Sequence, residues 1–209
     1  CIAYTALKIH ALNPDANMVV APSDHIILQE TAFVETLSAG LDFSARHDAL
    51  LTLGIRPSRP DTGYGYIQFD EAGATRHPRV KPVKAFTEKP DHDTAVRFIE
   101  SGEFLWNAGI FIWSLTSIRR AFRDHLPTME DRFSAGEPSY GTSAESAFIA
   151  SIYVSCESVS IDYGIMEKAD NVFTVVSDFG WSDLGTWGSL YTHLPKDAQG
   201  NATIGQAVK

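Results

Sequence analysis

The sequence predicts an α/β fold with a mixed, mostly parallel central sheet covered by helices on both faces. Short and nearly continuous apolar runs of strand length, at residues 18–21, 49–55 and 172–176, are separated by segments whose apolar residues recur at helical spacing. Runs without polar alternation suit strands buried between two helix layers, and the strand–helix–strand order suits a parallel sheet. Two of the runs also end in polar turns that carry an aspartate, Asp24 and Asp183. Open α/β sheets bind ligands at that end of a strand.

Taken in order, residues 2–12 read as a helix stopped by Asn13-Pro14-Asp15. Residues 18–21 are a strand closed by Pro22-Ser23-Asp24-His25, and a helix over 33–43 puts Phe33, Leu37 and Leu41 on one face. The strand at 49–55 ends in Arg56-Pro57-Ser58-Arg59-Pro60. Residues 64–69 and 80–87 form an antiparallel excursion, with residues 73–78 as its exposed link. A helix over 94–100 stops at Gly102, a strand covers 107–113, and an arginine-rich helix covers 117–125 with Phe122 facing the core. Residues 130–141 are loop and short helix, and 143–153 are helical. Residues 162–168 form a short helix that Asp162 can cap, and a last helix runs from Thr186 to His193.

The 209 residues suffice for one domain with a real core, and 44% hydrophobic with 21% charged residues is ordinary for a globular protein. A net charge of −9 argues against broad binding to nucleic acid or to anionic membranes, but leaves room for a local polyanion site built from a metal ion and a few lysines. Cys1 and Cys156 make neither a disulfide framework nor a metal cluster, which fits a reducing cytoplasm. No apolar run is long enough to span a bilayer. The first helix begins without a start signal, so the chain is expected to be a piece of something longer. The expected division is a catalytic domain over 1–195 and the start of a further element over 196–209.

Two carboxylates brought from distant strand ends, Asp24 and Asp183, suit Mg²⁺ shared with substrate phosphates; alternatively each is a turn or helix-cap residue. In Thr62-Gly63-Tyr64-Gly65-Tyr66, glycine lets a ligand approach the backbone and the rings can pack on a sugar or base, or the segment is a tight hairpin start. Glu88 can grip adjacent hydroxyls while Lys89 meets a phosphate, or the two are a solvated pair in a turn. Asn107 offers both donor and acceptor at a strand mouth, or an Asx turn, and Asp162 binds a ligand hydroxyl or caps its helix. No nucleophile elbow, zinc spacing or glycine-rich phosphate loop is present in the sequence.

The motifs Pro-Ser-Asp-His, Gly-Tyr-Gly-Tyr-Ile, Phe-Thr-Glu-Lys-Pro, Trp-Asn-Ala-Gly-Ile-Phe, Ser-Ile-Asp-Tyr-Gly-Ile-Met-Glu and Gly-Trp-Ser-Asp-Leu-Gly-Thr-Trp occur in that order. Together they closely resemble the mannose-1-phosphate guanylyltransferases of the sugar-nucleotidyltransferase superfamily, over nearly the whole chain. The resemblance implies a Rossmann-like α/β/α sandwich. It further implies that Asp24 and Asp183 hold Mg²⁺ against nucleotide phosphates. Gly65, Glu88 and Asn107 would contact mannose, with Asp162 lining the same pocket and Lys89 meeting the sugar phosphate. The partners implied are GTP and mannose 1-phosphate, in a cytoplasmic homo-oligomer. The family's opening Gly-Gly-x-Gly-x-Arg-type loop, which cradles the triphosphate, is absent from the sequence, so this segment alone is expected to be inactive. Alternatives to this enzyme are a non-catalytic sugar-phosphate-binding relative, or the same chemistry on another nucleotide or hexose.

Overall fold

The computed structural model describes residues 1–73, 75, 77–185 and 187–203, without the side chains of Thr192 and His193. Its centre is a six-stranded sheet in the order β1-β6-β3-β7-β5-β4, made of β1 Asn17–Val20, β3 Leu50–Ile55, β4 Tyr66–Phe69, β5 Val80–Thr87, β6 Phe104–Ser114 and β7 Val172–Ser177. β6 is long enough to pair with three partners. Its second half lies against β1, its first half against β4, and both halves against β3, so the strand order returns on itself. A separate ribbon of two short strands joins β2 Ile26–Ile27 to β8 Trp181–Ser182.

The sheet is mixed, as expected, but its parallel share is small. Among the described pairings only β3–β7 is parallel, and the others are antiparallel. The connections explain why. α2 (Glu30–Ser44) does link two strands of one direction, β1 and β3, and α3 (His92–Ser101) links β5 and β6, which share the opposite direction. The two sets interleave: β6 inserts between β1 and β3, and β5 lies beside β7. Helical crossovers fix the direction of the strands they join but not which strands become neighbours.

Helices cover both faces, as the apolar runs require. Leu50, Phe111, Trp113 and Val172 face one layer, built from α1 (Ile2–Leu12), α4 (Leu115–His125) and α5 (Pro127–Ser134) through Ala6, Leu7, Ile118, Phe122 and Phe133. Leu51, Leu53, Ile112 and Val175 face α2 through Phe43 and the partly buried Phe33, Leu37 and Leu41. Successive side chains of a strand point to opposite faces, so Leu50 and Leu51 belong to different cores.

Local chemistry sets most helix ends. The Asp91 carboxylate accepts from Thr94 N at 2.8 Å to start α3, which stops at Gly102, and Ser114 Oγ accepts from Ser117 N at 3.0 Å to start α4. α2 begins at Glu30, ahead of its first apolar residue, because Gln29, Glu30 and Thr31 lie exposed on the surface. The stretch after α5 holds a 3-10 turn, Glu137–Ser139, ahead of α6 (Glu145–Ser155). Residues 162–168 are helical only in part, as a π-helical turn over Asp162–Met166, and Asp162 caps nothing there. Its carboxylate is engaged elsewhere, by Asn107. The last helix, α7, spans Trp187–His193; its expected first residue Thr186, Ala74 and Arg76 of the expected link, and residues 204–209 of the expected C-terminal element lie outside the described residues. Among the described residues no helix is long and apolar enough to cross a membrane.

Candidate active site

The β2–β8 ribbon decides where the two aspartates go. Ile26 pairs with Ser182 and Ile27 with Trp181, antiparallel, so Asp24 and Asp183 leave the ribbon at the same end. His25 follows Asp24 and leads into the ribbon. Its Nδ1 accepts a hydrogen bond from Trp181 Nε1 at 3.0 Å, and the two rings meet edge to face with centroids 5.4 Å apart. Burial lowers the His25 pKa, while the charges of Asp24 and Asp183 both push it up. The accepting Nδ1 and the lowered pKa agree on a neutral imidazole.

Asp24 is exposed, whereas Asp183 is half-buried and engaged. Tyr64 Oη donates to Asp183 Oδ1 at 2.8 Å. Burial first, and then the hydrogen bond to Asp183, push the Tyr64 phenol up to about 12, so it remains a donor at any physiological pH. The Tyr64 ring packs edge-on against Trp106 and Trp181, with centroids 5.0 and 5.2 Å away. The Arg59 guanidinium covers the rings of Trp106 and Tyr64 at 5.3 and 5.8 Å, and both its Nε and Nη2 donate to Asp61 Oδ2, at 3.0 and 2.7 Å.

Next to Tyr64 the chain enters the second group of expected site residues. Gly65 is buried, and its carbonyl accepts from Asn107 N at 2.8 Å. A methyl group at position 65 would collide with Glu88 Oε2, so the bare backbone is what lets the carboxylate lie there. Asn107 sits at an irregularity in β6. Thr52 pairs with Phe111 and Gly54 with Asn107, which leaves three β6 residues opposite Leu53 alone. Gly109 takes up the excess with φ of 66°, a left-handed conformation that suits glycine. Asn107 Oδ1 accepts from Gly109 N at 3.1 Å and from Thr52 Oγ1 at 2.7 Å, and its Nδ2 donates to Asp162 Oδ1 at 2.9 Å. The Asx turn and the reach toward a second carboxylate are thus both made by one amide.

The cluster so formed is acidic. Burial first, and the Glu88 charge second, raise the Asp162 carboxyl. The same causes, with Asp162 added, raise Glu167. Lys89 Nζ donates to Glu88 Oε1 at 2.5 Å, and this bond holds the ammonium pKa up. Lys89 adopts φ of 46°, which is uncommon for a residue with a side chain and turns it outward at the rim, where it is 60% exposed. An exposed cation over buried acceptors can meet an anion while the carboxylates and amide bind hydroxyls. Tyr64, Arg59, Asp61, His25 and Glu167 were not foreseen as site residues. The tyrosine and the histidine stood inside motifs already noted, whereas the contact that makes Tyr64 matter spans 119 positions.

A cation would fit the aspartate end on the donor chemistry present. Among the described residues no group of three or more His, Cys, Asp and Glu side chains gathers into a ready cage. Mg²⁺ asks for less, being held by one or two carboxylates and completed by water and substrate phosphates.

The site thus sets a cluster of Glu88, Asn107 and Asp162 next to the Tyr64–Asp183 contact, on a helix-covered mixed sheet. The chain belongs to the nucleotidyl transferase family, whose pattern matches residues 1–200. It is 35% identical over 214 residues to a mannose-1-phosphate guanylyltransferase of Escherichia coli (strain K12), covering 99% of this chain and 44% of that protein. It is also 35% identical over 210 residues to the xanthan biosynthesis protein XanB of Xanthomonas campestris pv. campestris (strain B100), covering 100% of this chain and 44% of that one. Among solved structures it resembles one named as a mannose-1-phosphate geranyltransferase from Thermus thermophilus, with a TM-score of 0.76 and 32% identity over 91% of this chain and 54% of that one. The chain therefore spans less than half the length of these curated relatives.

Proposed function

We propose that the protein takes part in transferring GMP from GTP to α-D-mannose 1-phosphate, giving GDP-mannose and pyrophosphate. The observation that supports this reading is the β2–β8 register, by which Asp24 and Asp183 leave the ribbon at the same end, with Tyr64 bonded to Asp183 and adjacent in the chain to Gly65 of the Glu88, Asn107 and Asp162 cluster. The names and sequence similarity of the relatives support the same class of substrates.

In this reading an oxygen of the hexose phosphate attacks the α-phosphorus of the triphosphate in line. The new P–O bond replaces the bond to the bridging oxygen, and pyrophosphate departs with that electron pair. A phosphate monoester dianion is already a competent nucleophile, so no protein nucleophile is required, in keeping with the lack of any triad. Glu88 and Asp162 accept from the hexose hydroxyls, and the Asn107 amide holds Asp162 in place. Lys89, at the rim, meets the sugar phosphate and offsets its charge as the two anions approach. Asp24 and Asp183 would hold Mg²⁺, which when bound offsets negative charge on the triphosphate.

The test is made on the whole protein. GDP-mannose formation from GTP and mannose 1-phosphate is followed by chromatography, with ATP, UTP and dTTP as competitors. Asp183→Asn is expected to lower turnover and to weaken the dependence on Mg²⁺. Binding of both substrates without any product, or an unaltered Mg²⁺ dependence in Asp183→Asn, would overturn the reading.

A further inference from the structure

Resting on the reading of Asp183 as a cation ligand, we propose that Tyr64 is its positioning residue, the terminal donor of an Arg59–Tyr64–Asp183 relay that fixes which way the carboxylate faces. Tyr64 bonds the Asp183 carboxylate, so the role proposed for it is exerted through Asp183.

The direction of the relay follows from what each group can do. Arg59 carries donors only, and it is pinned by Asp61, whose other oxygen, Oδ1, accepts from Gly63 N at 2.9 Å. Arg59 Nη2 lies 3.4 Å from Tyr64 Oη, as a donor to it. The phenol oxygen therefore accepts on one side, and its single proton goes to Asp183 Oδ1. Donation into a hydroxyl strengthens the bond that the hydroxyl in turn donates. The phenol ring packs in T-shaped contacts with Trp106 and Trp181, which help to hold it in place. On the other side of the carboxylate, a β-carbon at position 185 would stand 2.6 Å from Asp183 Oδ2, so the glycine lets that oxygen rest where it does. Oδ1 is tied and Oδ2 has room, so the described hydrogen bond that orients Asp183 is the one donated by the Tyr64 hydroxyl.

A ligating carboxylate held by a hydrogen-bond partner loses roughly tenfold to a hundredfold in metal affinity when the partner is removed. Tyr64→Phe keeps the ring between the two tryptophans and deletes only the hydroxyl. Its affinity for Mn²⁺, read on the whole protein by water-proton relaxation without nucleotide, is expected to fall within that range. The apparent KM for Mg²⁺ in turnover should rise in step, while the KM for mannose 1-phosphate and the melting temperature stay near those of the parent. Asp183→Asn is measured alongside. Loss of Mn²⁺ affinity in Asp183→Asn but not in Tyr64→Phe overturns the positioning role alone. Unchanged affinity in both variants overturns the assignment of Asp183 as a ligand. A KM for the sugar phosphate that rises as much as that for Mg²⁺ in Tyr64→Phe marks a structural role and also overturns the inference.

Discussion

At Gly65 a single hydrogen atom separates a packed backbone from a blocked pocket. A methyl there would meet the end of the Glu88 side chain, a flexible group that can swing away, and would sit 3.4 Å from Asn107 Cβ. Gly65→Ala is therefore expected to leave the melting temperature nearly unchanged and to raise the KM for the sugar phosphate roughly tenfold, about 1.4 kcal/mol, by displacing Glu88. Steady-state kinetics beside a thermal melt separates the two effects. Asp162 makes a different prediction. Burial, and then the Glu88 charge, raise its carboxyl above the ordinary 3.8, so the native state holds this proton more tightly than the unfolded chain does. The stability it contributes is full below 3.8 and is lost as pH rises through the folded-state value. Asp162→Asn, which can still accept from Asn107, should melt higher than the parent at neutral pH, with the difference closing in acid. Melting curves recorded across that pH range check the sign. Gly65, Glu88, Asn107 and Asp162 were legible because motifs mark them. Arg59 was not, because a guanidinium that stacks on Trp106 across 47 positions leaves no local pattern.

Elements with a period or a punctuation mark were read well from sequence, and those without either were not. α1 ends at Asn13 and α3 at Gly102 as expected, since Asn-Pro and glycine stop helices by local sterics. β2 and β8 hold two residues each, too few for any alternation to appear, yet they assemble the aspartate end of the site. Strand direction was also hidden, because alternation of apolar and polar residues is the same read either way along a strand. The ribbon depends on Gly180, which has φ of 66° and passes so close to Leu28 that an added β-carbon would sit 2.8 Å from Leu28 Cβ. A left-handed conformation costs an L residue roughly 1–2 kcal/mol before any clash is counted. Gly180→Ala is expected to lose at least about 1 kcal/mol in urea denaturation. It should also weaken Mn²⁺ binding, since the register that brings Asp24 to Asp183 is disturbed.

Over the whole molecule, the face carrying α1, α4 and α5 is tied by ionic contacts remote from the site. Arg119, 16% exposed, donates to Glu130 at 3.2 Å and to Glu137 at 3.1 Å, and lies 3.1 Å from His10 Nδ1, while Glu130 is 5% exposed. Glu130 Oε2 has no partner of its own, and the other contacts of Oε1 are longer, Ser134 Oγ at 3.4 Å and Arg123 Nη1 at 3.9 Å, so the residue leans mainly on Arg119. Removing one side of a buried ion pair costs roughly 3 kcal/mol when the other is left alone, and less here, where Arg123 and Ser134 remain near Glu130. Arg119→Ala should show that smaller loss in chemical denaturation with the KM for each substrate unaltered, which would separate the scaffold from the site. Which helices form this layer was visible in their apolar faces; that an arginine ties them was not, because its partners come from three other segments.

The hydrogen bond from Trp181 to His25 spans 156 positions. A ribosome adding about 5–20 residues per second needs on the order of 8–30 s to make that much chain. Throughout that interval Ile26 and Ile27 have no ribbon partner, and the aspartate end cannot assemble, however early the helices at the start of the chain have formed. The nascent chain therefore carries an unmatched edge for as long as those 156 positions take to make, and the site end of the fold closes only once Trp181 has been added.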